Sequence, residues 1–498
     1  MGAFFNFFVA TFAAIGSFLF GYDSGIIGSV ISPNFKKFHE YFNEPDDELL
    51  GAVVSTFAGG CFFGAMAAGW LADRIGRKRT IQAGSLVAIL GCSLQTGAQN
   101  ISYLMVGRVI AGLAIGCLSM IVPLYQSEIS PPNMRGFLTG MTQFMIGMGF
   151  LVANWVGYGC QYLNTDAQWR IPLAIQVAPA VLLLVGMFFL PFSPRWLVEK
   201  GRNEEALKVV QRLHGNEQNA EFIKLEFAEM LEQIKYEKAN MSSKLSDLWA
   251  TKAMLKRTLT GAAVQVCAQL SGINVSAYFQ PSLYRSLGYD GNTILLITGI
   301  NNALGQIVTF VFIYFILDRV GRRLPLIIGA FGMAGCLAIE AAINAKFPGE
   351  TSKNVAAQQA GVAFIILFGS LFFSTSFGPV SWVYQSEIFP MRVRAMGTSV
   401  ATMSNWAVNV MISQVSPIGL NRLGWKFYLV FICTNIANGK SHGLIVIFFF
   451  PETKGKTLEE MDAVFGDQVI EHALETGHTH NVPGLDEKDG SLEKIEKS

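Results

Sequence analysis

A five-residue phrase occurs twice in this chain. Tyr125-Gln126-Ser127-Glu128-Ile129 reappears as Tyr384-Gln385-Ser386-Glu387-Ile388. Each copy ends a long apolar run, and an Arg (Arg135, Arg394) follows seven residues after its Glu. A second phrase, Asp73-Arg74-Ile75-Gly76-Arg77-Lys78, returns as Asp318-Arg319-Val320-Gly321-Arg322-Arg323. Both pairs stand in the same order, so the chain reads as two related halves. Such self-similarity constrains the fold more than any single motif. In an apolar chain, two parallel halves imply a transporter with its path between the repeats.

The 498 residues are 51% hydrophobic and only 15% charged, whereas a soluble domain carries roughly a quarter. The charges gather in 193–258 and after 451. A net charge of +1 leaves no basic footprint for nucleic acid. Seven Cys are scattered through apolar runs with no metal or disulfide spacing, and read as inert buried thiols. No nucleophile–base set appears, so neither an enzyme nor a cofactor is expected.

A membrane span needs about 20 mostly apolar residues. Six candidates fill the first half: spans 1 to 6 at 7–30, 49–71, 80–99, 101–124, 136–160 and 170–191. Spans 7 to 12 follow at 258–286, 292–317, 324–344, 357–386, 395–419 and 426–450. The expectation is an all-α membrane protein of twelve helices. Residues 1–192 and 258–450 form its six-helix halves, 193–257 a charged helical linker, and 451–498 a polar tail, disordered at its end. Arg74, Arg77, Arg135, the linker cations, Arg319, Arg322 and Arg394 all fall on one side of twelve spans. The positive-inside rule makes that side cytoplasmic, with both termini. Gly60, Gly64 and Ala68, then Gly112 and Gly116, stand four apart, a spacing that lets helices approach closely in lipid.

Asp23 lies well inside span 1 and Arg108 inside span 4. Each charge costs about 2.5–3.5 kcal/mol at a helix centre, so the two are expected to compensate one another. Either they form a static ion pair, or Asp23 takes up and releases a proton as the pair moves. Amides recur at membrane depth: Gln143, Gln265, Gln269, Asn274, Asn301, Asn302, Gln306, Asn405 and Asn409, with Tyr278, Phe279, Trp382 and Trp406 nearby. Uncharged donors and acceptors beside aromatic faces suit a neutral, many-hydroxyl ligand; the alternative is bonding between helices. The acids Asp73, Glu128, Asp318 and Glu387 match the bases Arg74, Arg77, Arg135, Arg319, Arg322 and Arg394 at the basic end. They read as a cytoplasmic gate of exposed, individually weak pairs.

Taken together the phrases resemble the sugar porter family of the major facilitator superfamily, in the manner of fungal monosaccharide transporters. The resemblance covers nearly all of 10–465. It rests on the repeated phrases, Pro191-Phe192-Ser193-Pro194-Arg195-Trp196-Leu197, Gln269-Leu270-Ser271-Gly272-Ile273-Asn274, Gly378-Pro379-x-x-Trp382 and Pro451-Glu452-Thr453-Lys454-Gly455. It implies a monosaccharide site at Gln143, Gln265, Gln269, Asn274, Trp382 and Asn405, with Gln306 where the family often has Asn. It also implies an extracellular gate at Tyr278 and Phe279, and proton coupling through Asp23 and Arg108. The expected ligands are a monosaccharide, a hexose or pentose, and a proton. The setting is the lipid bilayer of the plasma membrane, and the transport unit a monomer. A proton-independent facilitator and a non-transporting sensor are the competing readings; the short tail counts against the sensor. Two further departures stand out. Phe192 replaces the usual Glu of its phrase, and Asn438-Gly439-Lys440-Ser441-His442 interrupts span 12, as a helix break or a gene-model error.

Overall fold

A computed structural model describes residues 2–131, 134–214, 220–240, 244–289, 291–348, 354–441, 451–453, 461 and 465. Among these residues the secondary structure is helical, with no strand. Eight helical segments are long and apolar enough to cross a membrane: Phe4–Val30, Asp47–Ile75, Ile101–Ile129, Arg135–Cys160, Ala167–Gly186, Asn292–Val320, Arg323–Lys346 and Val355–Glu387. The other expected spans fall on helices at Arg77–Thr96 (span 3), Lys252–Leu270 continuing as Ile273–Ser286 (span 7), Met391–Leu423 (span 11) and Phe427–Ser441 (span 12).

Local chemistry sets the ends. Asp46 accepts from Leu49 N at 2.8 Å to start span 2, and Asn100 accepts from Tyr103 N at 2.8 Å to start span 4, each satisfying a donor the helix cannot. Span 2 stops at Gly76 (φ +85°) and span 8 at Gly321 (φ +89°). The second repeated phrase therefore owes its Gly to a left-handed turn. Spans 2 and 4 meet through the spaced glycines. A Cβ on Gly60 or Gly64 would lie 2.3 Å from Val109 O or 2.1 Å from Leu113 O. One on Gly112 or Gly116 would lie 2.2 Å from Phe57 O or 2.0 Å from Cys61 O. Backbone rests on backbone there, which yields the van der Waals contact that membrane helices rely on.

The second half departs from regular helix. Span 7 breaks at Gly272 (φ +88°) and kinks at Phe279, whose φ and ψ of −117° and 22° are not helical, with Pro281 just beyond. Spans 8 and 10 carry π-turns at Phe312–Ile316 and Leu367–Phe373. The linker forms helices Pro194–Glu199, Asn203–His214 and Ala220–Asn240 and a 3-10 turn, Leu245–Trp249. A small core of Trp196, Val210, Phe227, Leu231 and Ile234 joins it to Met391 of span 11.

The polar interruption in span 12 is not a helix break as far as Ser441. Asn435 donates to Ser271 O at 2.9 Å, a carbonyl freed where span 7 bends, and Asn438 adds a second donor at 3.2 Å to Cys267 O, which also accepts Ser271 N. The Lys440 side chain, His442 and the rest of span 12, Lys454 and Gly455, and the tail beyond 465 lie outside the described residues.

Candidate functional site

Between the two sets of spans lies a cavity that offers water-sized molecules about 140 Å³. Gln143, Gln265, Gln269, Asn274, Gln306, Trp382 and Asn405 all line it, on spans 5, 7, 8, 10 and 11. Asn301 and Asn302 line it too; Asn409 and Trp406 do not. Sequence reasoning missed Phe20, Gln280, Ser276, Ser370 and Thr309 in the wall. Short polar residues in apolar runs give no signal until the phase of each helix is known.

The amides are wired to one another. Gln269 Nε2 donates to Asn405 Oδ1 at 2.7 Å. Its Oε1 accepts from Asn274 and from Asn409 Nδ2, the latter at 3.2 Å. Asn409 reaches the Tyr278 hydroxyl at 3.3 Å. One amide network thus runs from the cavity wall to the buried Tyr278 and Phe279, which pack against Tyr22, Ile26 and Ile27 of span 1. Gly28 lets span 7 approach there: a Cβ on it would lie 2.8 Å from Tyr278 O. Gln265 donates to Gln385 Oε1 at 2.8 Å, so the second copy of the repeated phrase supports the cavity floor. Gln265 Oε1, Gln306 Oε1 and Asn405 Nδ2 have no protein hydrogen-bond partner. Two acceptors and one donor left over at a cavity wall match a ligand whose hydroxyls do both.

Asp23 and Arg108 are buried and joined as an ion pair. Gln95 of span 3, which sequence reasoning did not single out, donates to the second Asp23 oxygen at 3.3 Å. Arg108 also donates to Val53 O at 3.2 Å and lies 4.3 Å over the Phe57 ring. From Phe57 a chain of edge-on and tilted rings continues to Trp406 (6.0 Å), Phe20 (5.1 Å) and Trp382 (6.3 Å). The pair does not line the cavity, yet four rings connect it to the wall.

The charged phrases assemble differently from the expectation of exposed pairs. Arg77 and Glu128 are fully buried at 2.9 Å, and Asp73 lies 3.6 Å from the same guanidinium. In the second half Arg322 meets Asp318 at 3.1 Å and Glu387 at 3.2 Å. Burial pulls the Arg322 guanidinium down, but Glu387, Asp318 and Glu452 outweigh it and hold its pKa above the usual value. Each Glu also accepts a hydroxyl from the segment leaving its own half: Ser193 at 2.5 Å, Thr453 at 2.7 Å. Each Tyr of the phrase donates to the Pro carbonyl two residues before that hydroxyl, Pro191 O at 2.7 Å and Pro451 O at 3.0 Å. These contacts close within halves. Asp318 also reaches across the divide, its other oxygen accepting Phe137 N at 3.0 Å. Arg74 lies over Trp70 at 4.1 Å, outside the cluster. Arg319 is exposed, and buried Arg394 donates to Phe389 O at 2.9 Å. Buried Arg135 opens span 5.

The two copies also differ after the first Pro of the segments that leave the halves. Glu452 accepts Arg322 N at 2.9 Å and Arg323 N at 3.2 Å. Its counterpart Phe192 instead stacks on Trp196 and has Lys78 Nζ 5.0 Å over its ring. A carboxylate on backbone amides is replaced by an aromatic platform for cations.

Comparison with known proteins agrees with this architecture. The family described as sugar (and other) transporter matches residues 9–465. The chain is 39% identical to the MFS-type transporter criB of Aspergillus cristatus, over 92% of this chain and 93% of that protein. It is 34% identical to the high-affinity glucose transporter of Kluyveromyces lactis, over 93% and 86%. The structure is similar to that of the proton:xylose symporter XylE bound to 6-bromo-6-deoxy-D-glucose, with a TM-score of 0.81 and 26% identity over 93% of this chain and 100% of that one.

Proposed function

This chain belongs to the sugar transporter family of the major facilitator superfamily, and from that premise we propose that it imports a monosaccharide by proton symport with alternating access. The observation that carries the reading is the cavity between the halves, walled by Gln143, Gln265, Gln269, Asn274, Gln306, Trp382 and Asn405 and tied by rings to the Asp23–Arg108 pair.

The amides bind hydroxyls of a hexose or pentose, and Trp382 and Phe20 cover its apolar face. Asp23 takes a proton when its pair with Arg108 loosens and releases it when the pair reforms. Tyr278 and Phe279 close the extracellular side, at the kink where span 7 can bend. Asp73, Arg77 and Glu128, with Asp318, Arg322 and Glu387, close the cytoplasmic side; Arg74, Arg135, Arg319 and Arg394 flank them. The halves 1–192 and 258–450 rock about the sugar, with the 193–257 linker, the 451–498 tail and both termini in the cytoplasm. The working unit is a monomer in the plasma membrane.

The test is uptake of labelled sugars in a transporter-deficient cell, with and without a protonophore. Symport predicts accumulation above equilibrium that the protonophore abolishes. Asp23→Asn should end uphill accumulation while sparing exchange. Uptake that never exceeds equilibrium and ignores the protonophore makes the protein a facilitator; binding without uptake makes it a sensor.

A further inference from the structure

A second carboxyl group is buried in the spans, and the reading above does not use it. Glu340, on span 9, is 1% exposed. One oxygen accepts Asn344 Nδ2 at 2.8 Å; the other, Oε2, has no hydrogen-bond partner. Among the described residues no Lys or Arg pairs with Glu340. An isolated carboxylate in such surroundings would cost far more than the net worth of one hydrogen bond.

Glu340 lines a second, mostly apolar cavity, formed with Val275, Ser276 and Leu283 of span 7 and Tyr428 of span 12. The cavity offers about 30 Å³, room for one or two waters. Ser276 lines this cavity and the first one, so span 7 stands between them. Asn344, which holds Glu340, also accepts from Ser286 Oγ at 3.4 Å, beyond the kink in span 7. The titratable neighbours are Tyr284 of span 7, Tyr428 of span 12 and Cys336 of its own helix. Span 10 brings Gly361, whose added Cβ would sit 3.4 Å from Glu340 Oε2, together with Phe364, Ile365 and Phe368, and span 11 brings Leu420. None of these is a cation.

The repeat gives the position a meaning. Glu340 stands 22 residues after Asp318, and Gln95 stands 22 residues after Asp73. Gln95 is the residue that bonds Asp23. The second half therefore has an acid where the first half has the amide that serves its acid.

We propose that Glu340 is a second proton-binding site of this transporter. It carries its proton while span 7 packs against span 9. It gives the proton to external water when the part of span 7 beyond Phe279 swings away and wets the cavity. The swing rests on the reading of Tyr278 and Phe279 as the outer gate; the bound proton does not.

The test is infrared difference spectroscopy of the full-length protein in proteoliposomes, following the carbonyl stretch of protonated carboxyl groups through a pH titration. A band that survives in Asp23→Asn and disappears in Glu340→Gln is expected. Sugar uptake by Glu340→Gln should lose part of its dependence on external pH. Absence of any Glu340-dependent band across the titration overturns the proposal. Should Glu340→Gln fail to fold, Asn344→Ala must shift the titration midpoint of the band, and an unmoved midpoint overturns it equally. Failure of symport would show separately, as parental uptake that never exceeds equilibrium and ignores the protonophore.

Discussion

Asp318 joins its charged cluster to span 5 of the other half, so its neutralisation should be unlike that of its counterpart. In Asp318→Asn the bond from Phe137 N, at 3.0 Å, becomes a neutral one, and the 3.1 Å pair with Arg322 is lost. Phe137 sits in the first turn of span 5, whose Met134 offers no side-chain cap, so the carboxylate also faces the positive end of that helix. A hydrogen bond to a charged group contributes about 1.5–3 kcal/mol, and a charge at a helix terminus about 0.3–1 kcal/mol. The Asp318 side chain is 33% exposed, which argues for the low end. A shift of about 1.5 kcal/mol toward the cytoplasm-open conformer follows, or roughly tenfold in the equilibrium. Asp73→Asn removes a longer contact, 3.6 Å, and no bond to the other half, so its shift should be several-fold smaller. Hydrogen–deuterium exchange of the purified protein reads this at the Phe137 amide, which should exchange faster in Asp318→Asn and at nearly the parental rate in Asp73→Asn. Equal effects of the two variants, or an unchanged Phe137 amide, would refute the assignment of Asp318 as the bridging residue.

Other substitutions probe other parts. Phe57→Leu removes the ring under Arg108 and one link of the ring chain to Trp382; a cation–π contact of about 2 kcal/mol when desolvated is lost, and the sugar accumulation ratio should fall while exchange continues. Gly147→Ala would place a Cβ 1.8 Å from Gln306 Nε2; displacing that side chain should raise the half-saturation concentration for sugar about tenfold, the effect of roughly one lost hydrogen bond, with folded protein levels unchanged. Gly116→Ala drives a Cβ to 2.0 Å from Cys61 O, a backbone atom that cannot rotate away, so fluorescence-detected size exclusion should show loss of monodisperse protein.

Much of this architecture was legible before any coordinates, for identifiable reasons. A buried amide in lipid must find a partner, and eight of the nine amides read from apolar runs, all but Asn409, converge on one cavity. Glycines at four-residue spacing permit backbone contact, and spans 2 and 4 make it. The partners of the phrases were not legible. Whether Glu128 meets Arg77 or Arg135 depends on how spans 2, 3 and 4 pack, which sequence separation does not encode. The expectation of exposed pairs failed for the same reason, since the segment 191–197 covers the first cluster. Glu340 gives little signal because one acid in a long apolar run barely lowers its hydropathy; its match to Gln95 emerges only when the halves are laid over one another.

The paired hydroxyls Ser193 and Thr453 have a mechanical consequence. Each fastens the end of its half back to the Glu of that half's repeated phrase. A half riveted in this way resists bending at the end where its neighbour must let go, and so acts as a stiff lever. Helices such as Ile101–Ile129 are about 43 Å long at 1.5 Å per residue. Rocked by about 10° around their midpoint, their ends travel roughly 4 Å by that geometry. Displacement at one face then reappears at the other with little lost to flexing.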